Sequence, residues 1–312
     1  MFKQMILATL LIAATAQAKD TPLWTLTDPR GDDYGNGKLA YPMNEDFQKG
    51  DLDLLDLSAY RKDDGTLFVA SFARPIKQPS RRTIDAIGTQ LDQVARLGFY
   101  TFNIDIYVDT DGVAGSGSTS TLPGRKVRID PSTAWEIVIC LTPEPAAARA
   151  ELKRIAVRTE RRRAKSEGRK GIVSDELRDK LQSNVDQFIF FPTRVRVAGN
   201  RIEFFVPGSF LGGTASKDWS YVVAVSGADI IQRTDQQNRI MRVGDTAEWL
   251  MVLPVAAGRP ADRFGGAAEN DDFMSPLVDI IVPKGEDQKK VLSDYDADTD
   301  TAAVVKGVKP SP

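Results

Sequence analysis

Three aspartates and three glycines crowd into one short stretch: Asp28, Asp32 and Asp33, with Gly31, Gly35 and Gly37 between and after them. Carboxylates at this density on a glycine-rich backbone suit a hard divalent cation. Calcium takes several oxygen ligands at loosely fixed angles, from side chains and carbonyls alike. The same residues can instead shape turns, each carboxylate accepting nearby backbone N–H groups. Both readings stand at this stage. Asp51 and Asp53 lie just downstream and offer a further oxygen.

A second acidic loop follows the best strand pattern in the chain, at Asp109, Asp111 and Gly112. Its opening matches a calcium-binding loop, but the match stops there. Position five is Val113, and Ser120 stands where a bidentate glutamate would close the loop, so it is not an EF-hand. Asp109 and Asp111 either give two oxygens to a site shared with another loop or form a glycine-rich hairpin tip.

The chain contains no histidine and one cysteine, Cys140. Without histidine no Ser-His-Asp or Cys-His nucleophile can be assembled. The usual His/Cys zinc site and histidine-ligated haem go with it. One cysteine makes no intrachain disulfide, and its apolar run Ile137–Leu141 predicts a buried free thiol. Carboxylate chemistry and oxygen-ligated metals remain. A glycoside hydrolase would need two carboxylates at a set separation, and nothing among the 43 acidic residues marks such a pair.

Sugar-binding modules present exposed aromatic faces beside a few polar groups. Tyr34 and Tyr41 adjoin the acidic loop and are the expected ligand-binding aromatics. Trp135, Trp219 and Trp249 start or sit within strand patterns and read as core.

The elements that must position these loops are mainly strands. Residues 99–109 alternate, with Phe102, Ile104, Ile106 and Val108 on one face and Asn103, Asp105, Tyr107 and Asp109 on the other. That period predicts a half-buried strand. Further strands are expected at 66–73, 134–142, 187–197, 201–207, 219–226, 247–253 and 277–282, with a tight hairpin at Gly199–Asn200. Many short strands and few helices predict a mainly β chain, an antiparallel β-sandwich of jelly-roll-like kind.

Two stretches depart from this pattern. Residues 84–96 offer a short helix weakened by Gly88. Residues 144–183 read as a charged helical insertion, two helices at about 144–167 and 174–183 with Ser174 as an N-cap. Between 144 and 180 they hold 12 Lys/Arg against 7 Asp/Glu. This is either a solvated face laced by ion pairs or a docking surface for a protein or an anionic partner.

Residues 1–18 carry Lys3, an apolar run from Met5 to Ala14, and Ala16-Gln-Ala18, the pattern of a cleavable signal peptide. The expected organisation is a signal peptide at 1–18, one domain at 19–290 and a polar, mobile tail at 291–312. The expected location is periplasmic or secreted. A formal charge of −2 gives no general drive toward nucleic acid.

The stretch from Asp28 to Leu57 resembles the opening of the glucodextranase C-terminal domain family, also found in amylopullulanases, with its DPxGDDxGxG and YPxxxxFxxGxxDL pattern. The resemblance continues in 102–112, 122–127, 134–139 and 219–229, and in 263–295. It implies a β-sandwich module that accompanies starch- and dextran-active hydrolases and binds carbohydrate or cell wall. No hydrolase domain precedes it, so this copy is expected to act alone or with a separate partner. Where the family pattern has Asn-Pro-Trp, this chain reads Ala73-Arg74-Pro75-Ile76 and lacks that aromatic.

The sequence therefore predicts a non-catalytic module binding a poly- or oligosaccharide or a cell-envelope component, with a structural calcium. An envelope scaffold or adaptor using the 144–183 helices is the second reading, and a carboxylate-dependent hydrolase the third.

Overall fold

The computed structural model describes residues 21–231, 250–269, 271 and 273–310. The expected signal peptide and Trp249 lie outside the described residues. Two five-stranded sheets form the body. The first runs β1 (Trp24–Thr27), β2 (Leu54–Lys62), β3 (Gly65–Phe72), β9 (Arg201–Pro207), β8 (Val195–Ala198), antiparallel throughout. The second runs β13 (Leu277–Ile280), β10 (Ser220–Gly227), β4 (Phe102–Asp109), β6 (Ile137–Leu141), β7 (Ile189–Phe190). Its last pairing is parallel. Two small parallel pairs complete the strands: β11 (Val255–Ala257) with β12 (Phe264–Ala267), and β5 (Val127–Ile129) with β14 (Ala303–Val305). The β8–β9 hairpin turns at Gly199–Asn200, where Gly199 takes φ 64° and so suits the first turn position.

One apolar cluster joins the two large sheets. Phe68, Phe72 and Phe204 from the first meet Phe102, Ile104, Ile106, Val223 and Val278 from the second. Phe72 and Phe102 lie 4.7 Å apart between ring centroids. Alternate side chains of each strand fill this layer, as a face-to-face pair of sheets requires.

The alternation in β4 predicts one wet face, and here the structure differs: β4 is buried along its whole length. Its polar side chains find partners inside. Asn103 donates to the Met251 carbonyl at 2.9 Å, and the backbone N–H of Leu122 donates to the Tyr107 hydroxyl at 3.0 Å. Asp105 accepts from Arg125 at 2.6 and 3.0 Å, an ion pair with both side chains out of water. Charges buried this deeply survive only when paired and hydrogen-bonded.

What covers that face is a second apolar cluster. Tyr107, Val138, Cys140, Val222 and Ala224 of the second sheet meet Ala148, Leu152 and Ile155 of α2 (Pro145–Ser166) and Val185 of α3 (Asp175–Phe188). Cys140 is a buried free thiol. Ser174 caps α3 by accepting the Leu177 N–H, and α3 runs five residues past its expected end. The helices therefore form a third layer on the second sheet. Most of their charge is paired within the layer: Glu151 with Arg154 and Arg158, Glu160 with Arg163 and Arg169, and Asp186 with Lys153.

Two further expectations fail, the first for a local reason and the second through long-range pairing. Residues 84–96 give only one helical turn, α1 (Leu91–Val94). The Asp85 carboxylate takes the N–H groups of Ile87 and Thr89, and Gly88 adopts φ 89°, which closes a turn instead. The chain end is docked, not a mobile tail. Helix α5 (Gln288–Ser293; α4 is the single turn Gly208–Leu211) buries Gln288 and Leu292, and β14 pairs with β5. Tyr221 and Val308 exchange backbone hydrogen bonds at 2.9 and 2.8 Å.

Candidate functional site

The loop after β1 turns back on itself and is fastened to β13. The Gly35 N–H donates to the Val278 carbonyl at 2.9 Å. Gly35 takes φ 57°, and a Cβ there would stand 2.7 Å from the Leu277 carbonyl oxygen, so only glycine fits. Buried Gln288 completes the join: its Nε2 donates to the Asp32 carbonyl at 2.6 Å and its Oε1 accepts from the Ile280 N–H at 2.6 Å.

This folding brings Asp28 and Asp32 against Asp279, with one carboxylate oxygen of each within 4.8 Å of the others. Asp279 comes from the middle of β13 and is fully buried. Its Oδ2 accepts the Leu54 N–H at 2.7 Å, which links β13 to the start of β2. Asp53 stands behind the group and accepts the Gly31 N–H at 2.8 Å. No N–H or hydroxyl of the protein reaches Asp28 Oδ2, Asp32 Oδ1, Asp53 Oδ1 or Asp279 Oδ1, although all four are buried.

The electrostatics follow from that crowding. Burial raises the Asp28 carboxyl to about 8; the facing Asp279 carboxyl opposes the rise, and the charges on Asp32 and Asp53 add to it. Burial likewise pushes Asp279 well above the usual carboxylate range, with Asp28 and Asp32 adding to the rise. Asp53 is lifted to about 6, mainly by burial, against the Gly31 hydrogen bond. Asp32 also rises, through burial first and Asp33 and Asp287 after it. A cation would oppose all four rises by stabilising the ionised carboxylates.

Asp33 is not part of this close group, although its Oδ1 is also buried without a partner. Its Oδ2 accepts the Tyr41 hydroxyl and the Gly50 N–H, each at 2.5 Å. Tyr41 lies edge-on to Phe264, 5.6 Å between centroids, so its ring is half-buried and not offered as a platform. Tyr34 is half-buried on the loop itself, its carbonyl accepting the Gly37 N–H. Trp135 and Trp219 pack against the two clusters, and Trp24 is buried.

Asp109 and Asp111 do not join the first site. They gather with Glu136 at the other end of β4. Asp279 pairs with Val225, and Val225 with Ile104, so roughly 17 Å of strand separates the two groups. The second group satisfies itself. Gly112 N–H donates to Asp109, Val113 N–H and Ser116 Oγ donate to Asp111, and Thr110 N–H donates to Glu136. These bonds shape the turn where the chain leaves β4.

Sequence reasoning missed Asp279. The signal was a lone carboxylate inside the apolar run Leu277–Val282, where a charge has no business in a buried strand unless something pairs it.

A groove opens beside the first site, between the free edge of β1 and residues 281–286. Its volume is about 890 Å³, and its lining includes Thr25, Thr27, Asp28, Lys284, Glu286 and Lys309. The class is given by the sequence profile, which is that of a binding module. The chain belongs to the family described as the C-terminal binding module, SLH-like, of glucodextranase, whose profile matches residues 23–307. No curated protein matches the chain. Among the described residues no helix is long and apolar enough to cross a membrane.

Proposed function

We propose that this chain is an exported, non-catalytic module that binds a poly- or oligosaccharide or a cell-envelope polymer, with a structural calcium. The observation that carries the reading is membership, over nearly the whole chain, in a family of binding modules. The groove along β1 supports it. Hydroxyls, carboxylates and ammonium groups line it, a mixture suited to the hydroxyls of a polar polymer, and its volume falls within the usual range for ligand sites. The segment at 1–18 supports export.

A glycan array and cell-wall pull-down with the purified chain test this reading. Retention of one glycan class, weakened by Thr25→Trp or Thr27→Trp in the groove, supports it. Silence across glycans and envelope polymers, or steady release of reducing sugar, overturns it.

A further inference from the structure

We propose that Asp28, Asp32 and Asp279, backed by Asp53, form a calcium site that clamps the edge of the first sheet to β13 of the second. This deepens the calcium element of the reading above by naming its ligands, and its test involves no glycan. Two parts of the chain far apart in sequence supply the oxygens, the loop after β1 and β13, while Asp53 at the approach to β2 fastens that loop through the Gly31 N–H. Oxygens bound to one calcium at about 2.4 Å lie no more than about 4.8 Å apart, and the three carboxylates meet that limit.

More than acidity marks this group. Asp279 is 0% exposed, and its Oδ1 points into the group without a donor. Buried carboxylate oxygens are ordinarily satisfied, and each exception calls for a cause. Here three of the exceptions belong to the carboxylates gathered at one point, and Asp53 Oδ1 is a fourth on the neighbouring strand approach. Among the described residues no lysine or arginine forms an ion pair with any of the four aspartates. The Arg30 guanidinium, whose charge lowers the Asp53 carboxyl, donates to the Ala73 carbonyl at 3.4 Å. Hard carboxylate oxygens with no nitrogen or sulfur donor select calcium or magnesium over transition metals. The irregular arrangement and the backbone carbonyls nearby favour calcium, which tolerates variable geometry, over strictly octahedral magnesium.

The second acidic group serves as an internal control. Asp109, Asp111 and Glu136 lie as close to one another, yet none of their oxygens is a buried orphan. Proximity there is a product of turn geometry.

The test uses the purified chain stripped of metal, with calcium chloride as the probe. Native mass spectrometry and calorimetric titration are expected to show one strongly held calcium. Thermal unfolding should shift upward by roughly 5 °C or more at a hundredfold excess over Kd. Asp279→Asn keeps the shape and the acceptor for Leu54 N–H but removes the charge. It should weaken calcium binding at least 100-fold while leaving the metal-free midpoint unchanged or higher. Asp32→Asn, at a half-exposed position, serves if that variant does not fold. Asp109→Asn should bind calcium as the parent does. An unshifted midpoint with no bound calcium at millimolar concentration, undiminished binding in both Asp279→Asn and Asp32→Asn, or loss of binding in Asp109→Asn would each overturn the proposal.

Discussion

Gln288, on the first turn of α5, donates a 2.6 Å hydrogen bond to the carbonyl of Asp32, a residue 256 positions earlier. The same side chain accepts from Ile280. One amide thus joins the acidic loop, the edge of the second sheet and the chain end. Gln288→Ala would leave a buried N–H and a buried C=O without partners. Each orphan costs about 1–3 kcal/mol, so a loss of roughly 2–6 kcal/mol is expected. Urea denaturation would read it as a lower midpoint at unchanged slope. A midpoint equal to that of the parent would show that the loop is held by other bonds.

Arg125 and Asp105 form the deepest charged pair, and Arg125 also donates to the carbonyls of Pro123 and Leu250. Removing one partner of such a pair costs about 3–5 kcal/mol, whereas replacing both with apolar side chains is far milder. Arg125→Met alone should therefore destabilise the chain severely. The double variant Arg125→Met with Asp105→Leu should recover much of that loss. A double-mutant cycle on unfolding free energies checks this, and additive effects would argue that the two side chains act independently.

Much of the second sheet, β3 and β9 of the first, and the two long helices were legible because local pattern and tertiary role agree there, whereas β1 and β2 were not anticipated. The Gly199–Asn200 turn, the N-cap at Ser174 and the apolar run around Cys140 each do what their composition implies. The errors share one cause. β4 alternates like a half-wet strand, but Asn103, Asp105 and Tyr107 face a covered layer, and only distant Arg125, Leu122 and Met251 reveal it. The acidic residues after 284 read as a tail because β14 is three residues long and pairs with a strand 176 positions earlier. Asp28 and Asp32 were visible in the sequence as a local cluster. Their third partner, Asp279, could be found only through strand register, and the separation of Asp109 and Asp111 follows from the same register.

The helices at 145–188 are a covering layer as much as a surface. Leu152, Ile155 and Val185 close over Val138 and Cys140. Leu152→Ala should cost about 2–5 kcal/mol, and replacing 146–182 with a flexible linker should leave the chain aggregation-prone. Cys140 provides the readout. In the parent it should react with a thiol reagent only after unfolding, whereas the truncated chain should label at once under native conditions. Reversing the exposed charge at Arg154 should change stability by less than about 1 kcal/mol. Slow native labelling of the truncated chain would mean that the sheet needs no cover.

The acidic site predicts a stability profile that runs against the common trend. In the metal-free chain Asp28 titrates at about 8 and Asp53 at about 6, both raised chiefly by burial. Asp32 and Asp279 are raised as well. A carboxyl whose pKa is higher in the folded state than in the unfolded holds its proton more tightly when folded. Its stabilisation is therefore complete below the unfolded value near 4 and is lost as pH rises through the folded value. The lowered carboxyls, among them Asp85, Asp130 and Asp296, act below about pH 4 and leave this window clear. Thermal unfolding of the stripped chain in metal-free buffer should thus fall steadily from pH 5 to pH 8. Calcium competes with those protons, so its stabilising shift should grow over the same interval and flatten the profile. A metal-free midpoint that rises between pH 5 and 8 would show that these carboxylates ionise without strain and have no need of a cation.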